Sequence, residues 1–167
     1  ATMSPEWLEA YSAGIFTEFQ EQRAPGHTVC GDAIYRKGML DFIKEIQQSL
    51  EKLDPVHDPD AYDKAEELKA MEVTANALIS FAARHADKLE HLAGSEKDAS
   101  RKAELLKMSE VCKKVPAHAP ETLHEALQYY WFVHLGVILE ANPWDSFNPG
   151  RLDQHLLPFY RNDVDKG

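Results

Sequence analysis

Apolar side chains recur at every third or fourth position over most of this chain, the spacing of one face of an α-helix. Met39, Ile43, Ile46, Leu50 and Leu53 form one such face, and Pro55 and Pro59 in "LDPVHDPD" block its continuation. A longer seam follows in Leu68, Met71, Ala75, Leu78, Ala82, His85, Leu89 and Leu92, stepping by three and four without a miss. Such a seam packs on neighbouring helices at shallow angles, and Gly94 is placed to close it. Leu105, Met108, Cys112 and Val115 share a face of a further helix that Pro116 ends. From Pro120-Glu121 to about Glu140 the chain is apolar nearly all round, which predicts a helix surrounded by protein. At the start, Ser4-Pro5-Glu6 combines a hydroxyl cap, a first-turn proline and an acid, and predicts a short helix through about Ala13. A last helix opens near Pro149 or Gly150 and holds Leu152, Leu156 and Phe159, with Pro158 expected to kink or end it. No alternating strand pattern of useful length occurs. The pattern predicts an all-α fold of about six helices.

Length and charge narrow the classes of function. At 167 residues the chain is one domain or a piece of one. A formal charge of −10 argues against sequence-independent nucleic-acid binding and against an anionic membrane surface. The run "YYWFVHLGVIL" falls short of the length that a bilayer needs, and no signal peptide opens the chain. Two cysteines without a CxxC pair point to a reducing compartment and no zinc site. The expectation is a soluble cytoplasmic protein.

Candidate chemistry is sparse. Eight histidines are present, yet no HxxxH or HExxH spacing occurs and no metal site is expected. His85 reads as a core-edge histidine with one satisfied nitrogen, and His57, between two prolines, as exposed. Cys30 lies three residues from His27, but no oxyanion hole accompanies it, and it reads as a buried unreactive thiol. Cys112 reads as structural. The stretch "SEKDASRKAE" reads as a solvated charge run. Asp145 stands between Trp144 and Phe147, directly after the most apolar helix. A carboxylate delivered there needs a partner or a purpose. It caps the next turn, a task that suits Asn148 better, or it serves a site.

Three stretches carry a resemblance: "SPEWLEAYSAGIFTEFQEQRAPGHTVCGDAIYRKGMLDF", "VPAHAPETLHEALQYYWFVHLGV" and "NPWDSFNPGRLDQHLLPFYRNDV". In order and with fitting gaps, they resemble the pyruvate formate-lyase-like domain of glycyl radical enzymes across essentially the whole chain. "EQRAPGHTVCGD" is shared with several members. "NPWDSFNPGRLDQH" is more discriminating, because glycerol and choline members carry an "ESNGH"-like stretch where this chain has Glu140-Ala-Asn-Pro-Trp-Asp145. The resemblance is nearest to the branch that eliminates water from trans-4-hydroxy-L-proline. It implies a closed α/β barrel, a small-molecule substrate and a homodimeric parent. It also implies a backbone glycyl radical, installed by a radical-SAM activating enzyme with an iron–sulfur cluster, that oxidises a cysteine to a thiyl radical. By position, Phe19 resembles the pocket aromatic of that branch, His27 the pocket histidine and Asp145 the pocket carboxylate.

The departures bear on what this chain can do alone. The family's Gly-Cys-Val-Glu and Arg-Val-Ser/Ala-Gly-Tyr type loops are absent, and Cys30 and Cys112 do not replace them. Residues 1–167 are therefore read as one helical segment of a longer enzyme. That segment supplies a pocket wall and no radical residue, and the remainder of the parent chain is its first partner. Alternatives within the family are a pyruvate formate-lyase, a diol dehydratase or an arylacetate decarboxylase. Outside it, the alternative is a self-contained helical binding or scaffold module, which would satisfy the seam from Leu68 to Leu92 internally. The segment reading instead expects exposed apolar surface on the helix carrying Tyr129–Leu139.

Overall fold

The computed structural model describes residues 4–15, 30–140 and 149–167. Among the described residues there are six α-helices, one 3-10 turn and no strand. The helices are α1 (Pro5–Ser12), α2 (Met39–Glu51), α3 (Ala61–Ser95), α4 (Ala99–Lys114), α5 (Leu123–Glu140) and α6 (Leu152–Lys166), and the 3-10 turn is Ala33–Tyr35. The all-α expectation holds, and each helix falls close to where its pattern placed it.

Ser4 caps α1, its hydroxyl accepting from the Trp7 amide at 3.2 Å, and Pro5 opens the first turn. This helix buries no residue. In α2, Asp41 accepts a hydrogen bond from the Gly38 amide at 2.9 Å, while Met39 and Ile43 enter the core. The amides of Met39 and Leu40 donate to the carbonyls of Pro116 and Ala117 at 2.8 and 3.1 Å. Those two donors have no partner within their own helix, so the turn after α4 satisfies them.

The long helix α3 packs against α4 and α2. A three-residue link joins it to α4, which runs back along it. The buried stripe of α3 is Ala75, Ala82, Ala86 and Ala93, rather than the leucines of the seam. Met71 and Leu92 are 48% and 40% exposed, and Leu68, Leu78 and Leu89 are half-buried. Small side chains take the centre because they let the backbones approach, and the long ones splay to the rim. Ser109 on α4 uses this closeness, donating across to the Ala86 carbonyl at 3.0 Å. Gly94 does not close α3, which continues through it to Ser95. The charge run is solvated, but it also starts α4, where Asp98 accepts from the Arg101 amide at 2.8 Å.

On α5, Ala126, Tyr129, Phe132 and Val133 are buried against the other helices. Its opposite side is not covered: Leu127, Trp131 and Leu139 are exposed, the last at 68%. Within this chain the helix is covered on one side only, and the expectation of exposed apolar surface on it holds. α5 begins two to three residues later than its sequence suggested, at a capping box. The Thr122 hydroxyl accepts from the Glu125 amide at 3.2 Å, and the Glu125 carboxylate accepts in return from the Thr122 amide at 3.3 Å and also from the Glu121 amide at 2.7 Å. α6 adds a long-range cap, Asp163 accepting from the Leu123 amide at 2.8 Å. Pro158 sits inside α6 without ending it. Leu156 and Phe159 beside it pack on the core and Asp163 is pinned to α5, so tertiary contacts on both sides hold the helix through one lost hydrogen bond.

Candidate functional site

Phe19, His27 and Asp145 lie outside the described residues, as does Asn148. The flanks of the segments that carry them are described, and these meet. After the first segment, Cys30 and Gly31 both adopt left-handed backbone, at φ 58° and 54°. Glycine takes that conformation freely, whereas for cysteine it costs about 1–2 kcal/mol. The Ala33 amide then bonds the Cys30 carbonyl at 3.0 Å and turns the chain into the 3-10 segment. Asp32 and Arg36 pair across that turn, and the Arg36 hydrogen bonds hold the Asp32 carboxyl below the usual range. Cys30 is exposed, not buried as expected, because this turn lifts it off the core while Ile34 and Tyr35 enter it. Partial desolvation nevertheless raises its thiol pKa, the direction that disfavours a reactive thiolate.

The two flanks touch through rings. Tyr35 stacks on His155 of α6, ring centroids 5.3 Å apart and planes 18° apart, and Phe159 lies 6.3 Å from Tyr35. Tyr35 is only 7% exposed and Tyr129 of α5 is fully buried. The hydroxyls of both are buried without a hydrogen-bond partner among the described residues. Burial raises both phenol pKa values, strongly for Tyr129, so each remains a protonated donor. Tyr35, Tyr129 and Phe159 thus form an aromatic junction of the core, with the Asp32–Arg36 pair exposed beside it. Neither Tyr35 nor His155 stands out in the sequence. The available signal was an aromatic or imidazole ring shortly after each candidate segment, and nothing in the sequence pairs the two.

Two other histidines make local contacts. His85 bonds the Phe81 carbonyl at 2.9 Å through Nδ1 and packs edge-on against Phe81 and Phe132, the core-edge role expected of it. His57 is exposed and bonds Asp54 at 2.7 Å. Cys112 is buried between α4 and α3, as expected. Among the described residues no three His, Cys, Asp or Glu side chains are grouped to hold a metal ion, and no helix is long and apolar enough to cross a membrane.

Comparison with known proteins places this arrangement. The family model described as pyruvate formate lyase-like matches residues 1–167. Trans-4-hydroxy-L-proline dehydratase of Clostridioides difficile is 56% identical over 165 residues, 99% of this chain and 21% of that protein. Isethionate sulfite-lyase of Oleidesulfovibrio alaskensis is 33% identical over 81% of this chain and 16% of its own length. Among solved structures, the hydroxyproline dehydratase from Clostridioides difficile with trans-4-hydroxy-L-proline bound superposes with a TM-score of 0.84 at 55% identity, over 99% of this chain and 21% of that one. The glycerol-bound, B12-independent glycerol dehydratase from Clostridium butyricum superposes with a TM-score of 0.79 at 31% identity, over 96% of this chain and 20% of that one. The chain thus spans about one fifth of the length of these relatives. With the whole of its length matched by one family model and its helices superposing on those of solved members, the chain belongs to the pyruvate formate lyase-like family.

Proposed function

We propose that residues 1–167 are one helical segment of a cytoplasmic glycyl radical enzyme that eliminates water from trans-4-hydroxy-L-proline. Phe19, His27 and Asp145 line its substrate pocket. The observation that carries this reading is the gap in identity: 56% to the hydroxyproline dehydratase against 33% or less for the other curated relatives compared. The described flanks support it: Tyr35, which follows the first segment, stacks on His155, which follows the second.

The radical, installed in the full-length protein by a radical-SAM activating enzyme, supplies hydrogen abstraction from the substrate. Neither cysteine of this chain suits that role, Cys112 being packed between helices and Cys30 exposed with its pKa raised. The radical cysteine and glycine belong to the remainder of the polypeptide. This chain's own residues bind and orient. Departure of the hydroxyl needs a hydrogen-bond or proton donor at the leaving oxygen, and the ring ammonium needs a carboxylate. His27 and Asp145 together supply those two groups, and Phe19 packs on the ring.

The test is an anaerobic assay of the activated full-length protein with trans-4-hydroxy-L-proline, glycerol and pyruvate offered separately. Turnover of hydroxyproline alone is expected, and His27→Ala or Asp145→Asn should lower kcat/KM by about a hundredfold or more. Turnover of glycerol or pyruvate instead would move the protein to another branch.

A further inference from the structure

We propose that the uncovered side of α5 is an internal docking face, closed in the full-length enzyme by an apolar surface of the remainder of the same polypeptide. The assignment needs only membership of the family and is independent of the substrate. From Ala126 to Leu139 the helix carries no Asp, Glu, Lys or Arg. A helix without charge on any face is one that protein surrounds. Yet this chain covers one side only: Tyr129, Phe132 and Val133 are buried, whereas Leu127 and Trp131 stand 42% and 50% exposed. Leu127, Trp131, half-buried Leu135 and Leu139 recur at every fourth residue and so form one ridge along the helix. On that ridge the Trp131 ring stacks on His134, with centroids 5.4 Å and planes 22° apart. A large aromatic ring already held by its neighbour loses little freedom on being covered, which suits it to anchor an interface.

The outer surface of α3 is built differently. It exposes Tyr62 and Val73 more fully, at 74% and 69%, but on a helix where Lys64 pairs with Asp58 and Lys69 with Glu66, each at 2.7 Å. Such a surface is made for water, and the α5 ridge is not. The occupant follows from length and charge. This chain is 21% of a relative that matches 99% of it, so most of such an enzyme is available to cover the ridge. Nothing on the ridge could pair with a charged partner, whose ions would lose hydration without compensation. A transient partner would leave the ridge open to aggregation between encounters. A permanent apolar cover that folds with it meets both constraints.

The test starts from hydroxyl-radical footprinting of the unmodified full-length protein, which needs no substrate. After correction for intrinsic reactivity, Trp131 should label at least about fivefold less than Tyr62. Equal labelling of the two would overturn the docking face. The occupant is then read with Leu127→p-benzoylphenylalanine in the full-length protein. Irradiation should give a cross-link within one polypeptide, to a peptide outside residues 1–167, as identified by gel mobility and mass spectrometry. A band of twice the chain mass would assign the face to a second copy, and a peptide within residues 1–167 would assign it to this segment itself. Either result, or no cross-link from the folded variant, would overturn the proposal. A protein that labels and cross-links as expected but leaves hydroxyproline unchanged would overturn the substrate reading alone.

Discussion

The Met39 and Leu40 amides reach the Pro116 and Ala117 carbonyls only because Gly38 has no side chain. A Cβ at that position would overlap the Ala117 carbonyl oxygen and the backbone of His118, neither of which can swing aside. Gly38→Ala is expected to cost at least about 2–3 kcal/mol and to lower the thermal midpoint by roughly 5–10 °C, as read by circular dichroism. Gly94→Ala provides the contrast: nothing lies within 4 Å of its added Cβ and the residue is inside α3, so a gain of about 0.5–1 kcal/mol is expected. At this scale the sequence told little. It offered Gly94 as a helix end and singled out nothing at Gly38, and only the close backbone approach at residue 38 separates a necessary glycine from a replaceable one. The same limit hid the Tyr35–His155 stack, a contact between residues whose pairing leaves no local pattern.

Helices were the most legible level, because their apolar spacing and end signals are local. Ser4-Pro5 and Pro116 marked ends that the structure keeps, and the start of α2 fell on Met39. The Thr122-x-x-Glu125 box was also present to be read and marks the true start of α5. Where the pattern misled, packing had decided the outcome: alanines rather than leucines at the α3–α4 contact, and α6 held through Pro158 by its neighbours. Glu125 shows how such an end responds to solvent. Burial pushes its carboxyl up, but the Glu121 amide and the Lys114 ammonium, 2.9 Å away, outweigh burial and hold it below its ordinary 4.5. A carboxyl lowered in the folded state contributes stability above its unfolded pKa and loses it as pH falls through the folded value. Glu125→Gln should therefore cost about 1–2 kcal/mol at neutral pH in urea unfolding. The difference from the unmodified chain should shrink steadily below about pH 4.5. A difference that stayed constant down to about pH 3 would assign the effect to shape rather than charge.

For the molecule as a whole, the decisive quantity is apolar surface left open. Leu127, Trp131 and Leu139 on α5 and Leu157, Tyr160 and Val164 on α6 are all exposed, although the chain is acidic and largely polar. Exposure on this scale is expected where further protein covers the helices, and the chain spans about a fifth of its relatives. The isolated 167-residue chain should therefore self-associate in sedimentation velocity at micromolar concentration. Trp131→Glu with Leu139→Glu should weaken that association by about tenfold or more; a strictly monomeric unmodified chain would contradict the expectation. The placement of Phe19, His27 and Asp145 was legible only through resemblance, since a pocket built from distant segments has no spacing rule. The bonds from Met39 and Leu40 to Pro116 and Ala117 carry one more consequence. They make the intervening stretch, α2 with α3 and α4, begin and end at the same place in space. Topologically it is a closed loop with Tyr35 before it and Tyr129 beyond it, and Met39, Ile43, Ala75 and Val111 from within it share one core with both tyrosines. Its ends are fixed by backbone and its middle by packing, so changes of length are best tolerated at the link 96–98 between α3 and α4 rather than in the helices that surround the two tyrosines.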